Sequence, residues 1–444
     1  MGRLAQWRDK QLIKILSGIR GCGKTTLLAL YIDWLKRSGI EDEQIMYVSL
    51  EDAENESLQK YQGLYSYIKK RLCVGKWTYV FIDELQKCAN YEKAIEGLML
   101  KKLPQTGMGL DLYAAVSQTL TFENTPHIEV RVLPLSFAEY QASAGLRIAS
   151  PHVQAAYPEG NLDVQSRRQV TEKPGRRLPR QRAQMEKYLR QEEFNNYLSF
   201  GGFPFTAYFG GDAGLIRQCA EGIFNTVLVK DIARQGGIYD IPLLEHIAQL
   251  MSQSLGRPLS SKKLSTVIGR KGRKISSNTV ETYMRALSAA FVFYHADRFD
   301  IKTGKRLKTL GKYYACDLGM RNMLMAAAEP SLDSQLENIV YLELLRRGYQ
   351  VCIGKYRRDE INFVAIKKIG ITRERAYFQV AASVRDSSVL AAKLSPLERI
   401  GDKLPKYILS LDDTPFRAVR KGIILQNVID WLLNPVPRSS VSSP

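Results

Sequence analysis

Gly18-Ile-Arg-Gly-Cys-Gly-Lys-Thr25 stands between the apolar run Lys14–Ser17 and the helical pattern Thr25–Arg37, which Gly39 closes. The octet fits G-x-x-x-x-G-K-[S/T] at every fixed position, and a strand before it with a helix after it is the setting such a loop requires. The residue types have a physical reason. Glycines let backbone N–H groups close around an anion where a Cβ would intrude, and a helix N-terminus adds partial positive charge. The competing reading is a chance glycine-rich turn, which the flanking strand and helix disfavour. A phosphate-binding loop in this setting predicts an α/β fold with a parallel sheet.

About sixty residues on, Tyr79-Val-Phe-Ile-Asp83-Glu84 is an apolar strand that ends in two carboxylates. In open α/β sheets ligands bind at that edge. The two motifs together predict bound ATP with Mg²⁺. Lys24 is expected on the β- and γ-phosphates, with Gly18, Arg20, Gly21, Cys22, Gly23, Thr25 and Thr26 lining the nucleotide. Thr25 and Asp83 are the expected metal ligands. Glu84 is the expected general base, so the catalytic candidates are Glu84 and Lys24. Cys22 predicts a thiol-sensitive loop.

Strand candidates continue at Ile45–Leu50, Asp111–Val116 and Ile128–Leu133, alternating with helical patterns at Ser57–Leu72 and Tyr91–Leu100. At 444 residues the chain is too long for one core. The organisation read from texture is a P-loop ATPase domain at 1–144, a basic flexible insertion at 145–190 and the end of the ATPase domain at 191–214. A helical and winged-helix region follows at 215–330, then a small α/β domain at 331–434 and a disordered tail at 435–444. In the middle region SSKKLSTVIG (260–269), a glycine- and arginine-rich turn, SSNTVETYMRALSAA (276–290) and a hairpin follow in the order helix, turn, helix, wing. Ser276 or Ser277 is the expected cap of the second helix. The last section predicts a helix at Leu336–Arg347, strands near Gln350–Ile353, Ile361–Ala365, Tyr377–Val380 and Lys406–Leu409, and a helix at Ile424–Leu433.

Lys and Arg outnumber Asp and Glu by 64 to 45, a net charge of +19. Such an excess favours phosphates, nucleic acid or acidic surfaces as partners. Lys262, Lys263, Arg270, Lys271, Arg273 and Lys274 surround the helix–turn–helix, with Asn278 and Thr279 at the start of its second helix. Two readings stand: contacts to double-stranded DNA, or a solvated basic face. The six cysteines are scattered singly and the four histidines show no ligand spacing, which excludes a disulfide framework and a zinc site of the usual patterns. The N-terminus lacks an apolar signal segment, and no apolar run approaches the ~18 residues that span a bilayer. A cytoplasmic location with no membrane partner is expected.

These residues resemble a family of prokaryotic AAA-type ATPases that carry a C-terminal domain of uncharacterised function. The resemblance covers nearly the whole chain and runs through the P-loop, LEDAE (50–54), FIDELQ (81–86), VLPLSFAEY (132–140), YLSFGGFP (197–204), VLVKDIARQGG (227–237), YYACDLGMRN (313–322) and LENIVYLELLRRGYQV (336–351). It implies a P-loop ATPase domain, a winged-helix middle and a C-terminal restriction-endonuclease-like fold of the PD-(D/E)xK type. Three departures follow from it. A Ser-Asn sensor of the γ-phosphate reads here Val116-Ser117-Gln118, leaving Gln118 as the candidate sensor. A Gly-Arg pair that would supply an arginine finger reads Asn124-Thr125-Pro126-His127, and ring assembly is correspondingly less expected. In the nuclease-like part Glu337 matches the helix glutamate, but Asn362 stands where a metal-binding aspartate belongs. The strand Phe378-Gln379-Val380-Ala381 lacks the lysine. The expectation is a slow Mg²⁺-dependent ATPase acting as a nucleotide-driven switch and associated with DNA. The alternatives are a non-hydrolysing ATP-binding module and, third, an ATP-regulated nuclease.

Overall fold

Five short strands assemble into one parallel sheet in a computed structural model of the chain. The structure describes residues 2–100, 109–122, 125–149, 179–209, 211–233, 238, 240–270, 272–325, 331–370, 372–413, 417–418 and 420–434. The strands are β1 (Ile13–Ser17), β2 (Ile45–Ser49), β3 (Thr78–Asp83), β4 (Leu110–Val116) and β5 (His127–Arg131), in the order β2-β3-β4-β1-β5. All four pairings are parallel. β1, β3 and β4 are buried at every position, because helices cover both faces. The period of two sorts their side chains. Ile13, Ile15, Val80, Ile82, Leu112 and Ala114 pack with Leu64, Ile68, Ile95 and Leu98 of the helices Tyr61–Lys69 and Tyr91–Leu100. Leu16, Tyr79, Phe81 and Tyr113 pack with Leu28, Tyr31 and Leu35 of the helix Lys24–Arg37. Lys14, on that second face, is fully buried against Asp111, which also accepts from the Tyr113 hydroxyl at 2.9 Å. Breaking such a pair costs about 3–5 kcal/mol.

The chain divides into two compact units. One is Met1–Pro134 with Gly222–Ala296 and Leu310–Cys316; the other is Leu135–Glu221 with Asp297–Thr309 and Asp317–Pro444. Residues 191–214, expected at the end of the ATPase domain, fall in the second unit. The Gly201–Gly202 turn is bonded to partners of the second unit: the Leu135 N–H donates to the Gly202 carbonyl at 2.6 Å, and Asp317 accepts from the Gly202 N–H at 2.6 Å. The expected flexible stretch 145–190 is helical at both its ends, in helices Phe137–Ala149 and Pro179–Phe200; residues 150–178 lie outside the described residues.

In the first unit the helices Ile241–Gln253, Ser261–Arg270 and Ser277–Ala289 precede a hairpin of β6 (Phe293–Asp300) and β7 (Lys305–Ala315). Ser276 is the cap, accepting from the Thr279 N–H at 3.0 Å. The outer half of the hairpin, 297–309, belongs to the second unit, where Arg298–Asp300 of β6 pairs in parallel with β8 (Gln350–Tyr356). The second unit continues with β9 (Asp359–Ile369), β10 (Thr372–Val380), β11 (Lys406–Ser410), β12 (Arg417–Ala418) and β13 (Ile424–Asn427), in the order β12-β13-β11-β10-β9-β8-β6-β7.

Two local expectations fail in the second unit. The helix expected at Ile424–Leu433 is β13 followed by a helix Val428–Leu433, because Asn427 caps the new helix by accepting from Ile429 and Asp430. A helix at Ser387–Arg399, capped by Asp386, was not legible, and Pro396 inside it is the reason.

Candidate phosphate-binding and hydrolytic site

The loop after β1 is held by main-chain bonds on two sides. The Gly18 N–H donates to Val116 O at 3.2 Å, and the Val132 N–H donates to Ser17 O at 2.7 Å. A Cβ on Gly18 would stand 2.1 Å from the Val132 carbonyl oxygen, so no larger residue fits there. Gly21 (φ 81°) and Gly23 (φ 100°) take the left-handed backbone that turns the loop into the helix Lys24–Arg37. Lys24 is buried, and its ammonium donates to Gly18 O at 2.9 Å and Ile19 O at 3.1 Å, closing the loop on itself. The first N–H groups of a helix have no intrahelical partner and are available to an anion.

The parallel register sets the carboxylates beside that loop. Thr25 Oγ1 donates to Asp83 Oδ2 at 2.6 Å, and the Tyr47 hydroxyl reaches the same oxygen at 3.3 Å. Burial pushes the Asp83 carboxyl up; Thr25 pulls it down and the neighbouring Glu84 charge raises it again. Glu84 itself has a left-handed backbone (φ 56°), which costs about 1 kcal/mol for a non-glycine residue and turns its carboxylate inward. There it accepts from Ser117 Oγ at 2.7 Å, from the Gln86 amide and from Arg20 Nη2 at 3.3 Å.

The sequence-predicted residues thus converge: Gly18, Gly21, Gly23, Lys24, Thr25, Asp83 and Glu84 form one site. Thr26 is exposed at the third position of the helix. Ser117 Oγ bonds Glu84, while Gln118, the expected sensor, stands half-buried beyond it. Cys22, the residue behind the expected thiol sensitivity, is 4% exposed, and burial pushes its pKa up. Arg20, expected on phosphate, bonds three carboxylates: Asp231 through Nε (3.1 Å) and Nη2 (2.9 Å), Glu51 through Nη1 (2.8 Å), and Glu84 through Nη2 (3.3 Å). Glu51 is half-exposed. Its burial acts upward, but hydrogen bonds and charge from Arg20 and Lys87 prevail and hold the carboxyl at about 2. Sequence reasoning missed Tyr47, Ser117 and Asp231. Ser117 was adjacent to the residue chosen; Tyr47 and Asp231 sit at no fixed spacing from the loop. The stretch that would hold an arginine finger carries none in the described part, where Pro126 accepts from Ile13 and His127 opens β5.

A second polar cluster lies in the second unit. Asn362 on β9 donates to Glu337 of the helix Leu332–Arg346 at 2.8 Å. Its N–H meets Gln379 Oε1 of β10 at 3.3 Å, and its Oδ1 accepts from the Val380 N–H at 3.1 Å and Lys393 Nζ at 3.4 Å. All three side chains, Glu337, Asn362 and Gln379, are buried. Among the described residues no group of three or more His, Cys, Asp or Glu could hold a metal ion, and no helix is long and apolar enough to cross a membrane.

Residues 10–141 match the family model of an AAA domain, and residues 191–331 match a domain of unknown function, DUF8612. The match and the loop geometry support an AAA-type P-loop domain over residues 10–141. An uncharacterized protein of Haemophilus influenzae is 28% identical over 435 residues, covering 97% of this chain and 96% of its own length. Another, MJ1544 of Methanocaldococcus jannaschii, is 23% identical over 347 residues, covering 76% of this chain and 67% of its own. Among solved structures, the Walker-type ATPase of Pyrococcus abyssi aligns with 73% of this chain and 93% of its own at 11% identity and a TM-score of 0.44. The Aeropyrum pernix ORC1 protein, solved with DNA, aligns with 73% of this chain and 91% of its own at 13% identity and a TM-score of 0.29.

Proposed function

We propose that the first unit binds ATP with Mg²⁺ at Gly18–Thr25 and hydrolyses it slowly, as a nucleotide-driven switch. The supporting observation is the convergence of Thr25, Asp83 and Glu84 beside a glycine loop packed so closely on Val132 that Gly18 has no room for a Cβ. This donor set suits Mg²⁺: a hydroxyl and a carboxylate already 2.6 Å apart are hard oxygen ligands. The ion, when bound, neutralises phosphate charge. The loop amides and the Lys24 ammonium would hold the triphosphate. Glu84 would accept the proton of the attacking water, with Ser117 and Gln86 orienting its carboxylate.

Slow turnover follows from the lack of an arginine at 125–127, since a finger contributes about 10³–10⁵ in rate. The same lack favours the second reading, a binding module that never hydrolyses. The partner we propose is double-stranded DNA, met by the exposed Lys262, Lys263, Arg270 and Lys274. Lys271 lies outside the described residues, Arg273 is paired with Asp240, and Thr279 is engaged in the helix cap. The C-terminal cluster would be non-cutting, because the Asn362 amide carries no charge for a metal. A cytoplasmic setting accords with six free cysteines.

Calorimetry and steady-state hydrolysis with and without duplex DNA test this. Lys24→Ala should weaken Mg·ATP binding by about 100-fold or more, and Glu84→Gln should cut turnover by about 100-fold with affinity unchanged. Equal rates for wild type and Glu84→Gln would favour the binding module, and no heat from wild type would end both readings.

A further inference from the structure

VLVKDIARQGG (227–237) is absorbed by nothing in the site as read from sequence, yet it delivers Asp231 to the phosphate loop. Asp231 is 1% exposed on a π-helical turn, Val227–Ala233, whose Val227, Leu228 and Ile232 are also buried. Its position is therefore set by the packing of that turn. Helical turns of this wide kind recur at functional sites. Both its oxygens pair with Arg20, through Nε and Nη2, which fixes the plane of the guanidinium. Lys230, the preceding residue, reaches Glu51 at 3.4 Å, and Glu51 takes Arg20 Nη1. One short turn therefore grips the loop arginine directly and through Glu51.

Arg20 Nη2 is shared between Asp231 at 2.9 Å and Glu84 at 3.3 Å. The two carboxylates compete for one cation. A guanidinium drawn fully onto Glu84 would occupy the lone pairs that orient and deprotonate water. We propose that Asp231 is a positioning residue that holds Arg20 off Glu84, so that the Val227–Ala233 turn sets the turnover of the nucleotide site. The inference rests on the reading of Glu84 as the carboxylate that activates water. It makes the turn the regulatory element: a partner that shifts it changes hydrolysis without touching nucleotide.

The test uses the full chain, with steady-state hydrolysis and calorimetric Mg·ATP binding for wild type, Asp231→Asn, Asp231→Glu, Arg20→Ala and the double variant Arg20→Ala/Asp231→Asn. Asp231→Asn should lower kcat about tenfold while affinity stays within about threefold, and Asp231→Glu should recover most of the loss. The double variant should be no slower than Arg20→Ala, since Asp231 acts only through that arginine. Unchanged kcat in Asp231→Asn overturns the proposal. So do losses that multiply in the double variant, or a fall in affinity matching the fall in kcat. A wild type that neither binds nor hydrolyses ATP removes the underlying reading and this one with it, and wild type alone reveals that case.

Discussion

Glu84 and Glu337 are both buried carboxylates beside polar strand residues, and their neighbours make opposite use of them. Glu84 is surrounded by a hydroxyl, an amide and a cation, with a second carboxylate and a threonine hydroxyl next door. Its surroundings keep it oriented beside the mouth of an anion-binding loop. Glu337 faces the Asn362 amide, whose N–H₂ donates to it and whose oxygen is taken by Val380 and Lys393. There a neutral side chain completes a closed network. The difference teaches that the partner a neighbouring element presents, ionic groups beside Glu84 and an amide beside Glu337, sets the charge around a buried carboxylate. Asp317 is a third case, a buried carboxylate that accepts from the backbone N–H groups of Gly202 and Met320.

The most disruptive way to break this comparison is Asn362→Asp. It would set two buried carboxylates face to face, a cost of about 3–5 kcal/mol. Thermal unfolding in EDTA should show the loss, and millimolar Mg²⁺ or Mn²⁺ should recover a good part of it, while wild type responds to neither. A variant as stable as wild type in EDTA would show that the amide is not what closes the cluster.

Asp317 sharpens the contrast by pH. Burial pushes its carboxyl up to about 6, against the pull of the Gly202, Met320 and Gly319 amides. A folded value above the ordinary 3.8 means the fold prefers the neutral acid. That stabilisation is fully present below about pH 4 and is lost as pH rises through about 6, a difference of about 3 kcal/mol. Asp317→Asn keeps a capping side chain and removes the charge. Denaturant unfolding should therefore show wild type losing stability relative to Asp317→Asn between pH 4 and pH 7; parallel curves would refute the assignment.

The smallest effect concerns orientation at Glu84. Ser117→Ala removes the 2.7 Å donor and should lower kcat about tenfold with nucleotide affinity preserved. An unchanged kcat would refute a role for Ser117 in orienting Glu84.

The first sheet was largely legible because β1, β3 and β4 are short runs buried along their whole length, alternating with helical patterns as a parallel sheet requires. The loop octet and the Asp83-Glu84 pair were legible for another reason: backbone geometry there demands glycine, and charge demands lysine and carboxylate. The second unit was less so. Pro396 hid a helix, and LQNVIDWLL could be read with either period until Asn427 was seen to cap. Residues 191–214 looked like a continuation of the first domain, but their bonds go to Leu135 and Asp317.

By itself the amino-acid sequence determined the local chemistry: a glycine loop before a helix, a carboxylate pair at the end of a buried strand, an asparagine in place of an acid. Each depends on neighbours within a few residues, which is the range over which backbone conformation is set. Only the tertiary structure decided which distant groups share one charge. Arg20 meets Asp231 across 211 residues, and Ser117, not Gln118, meets Glu84. Ion pairs and hydrogen bonds act over a few ångströms in space, and the chain separation between their partners carries no trace of that distance.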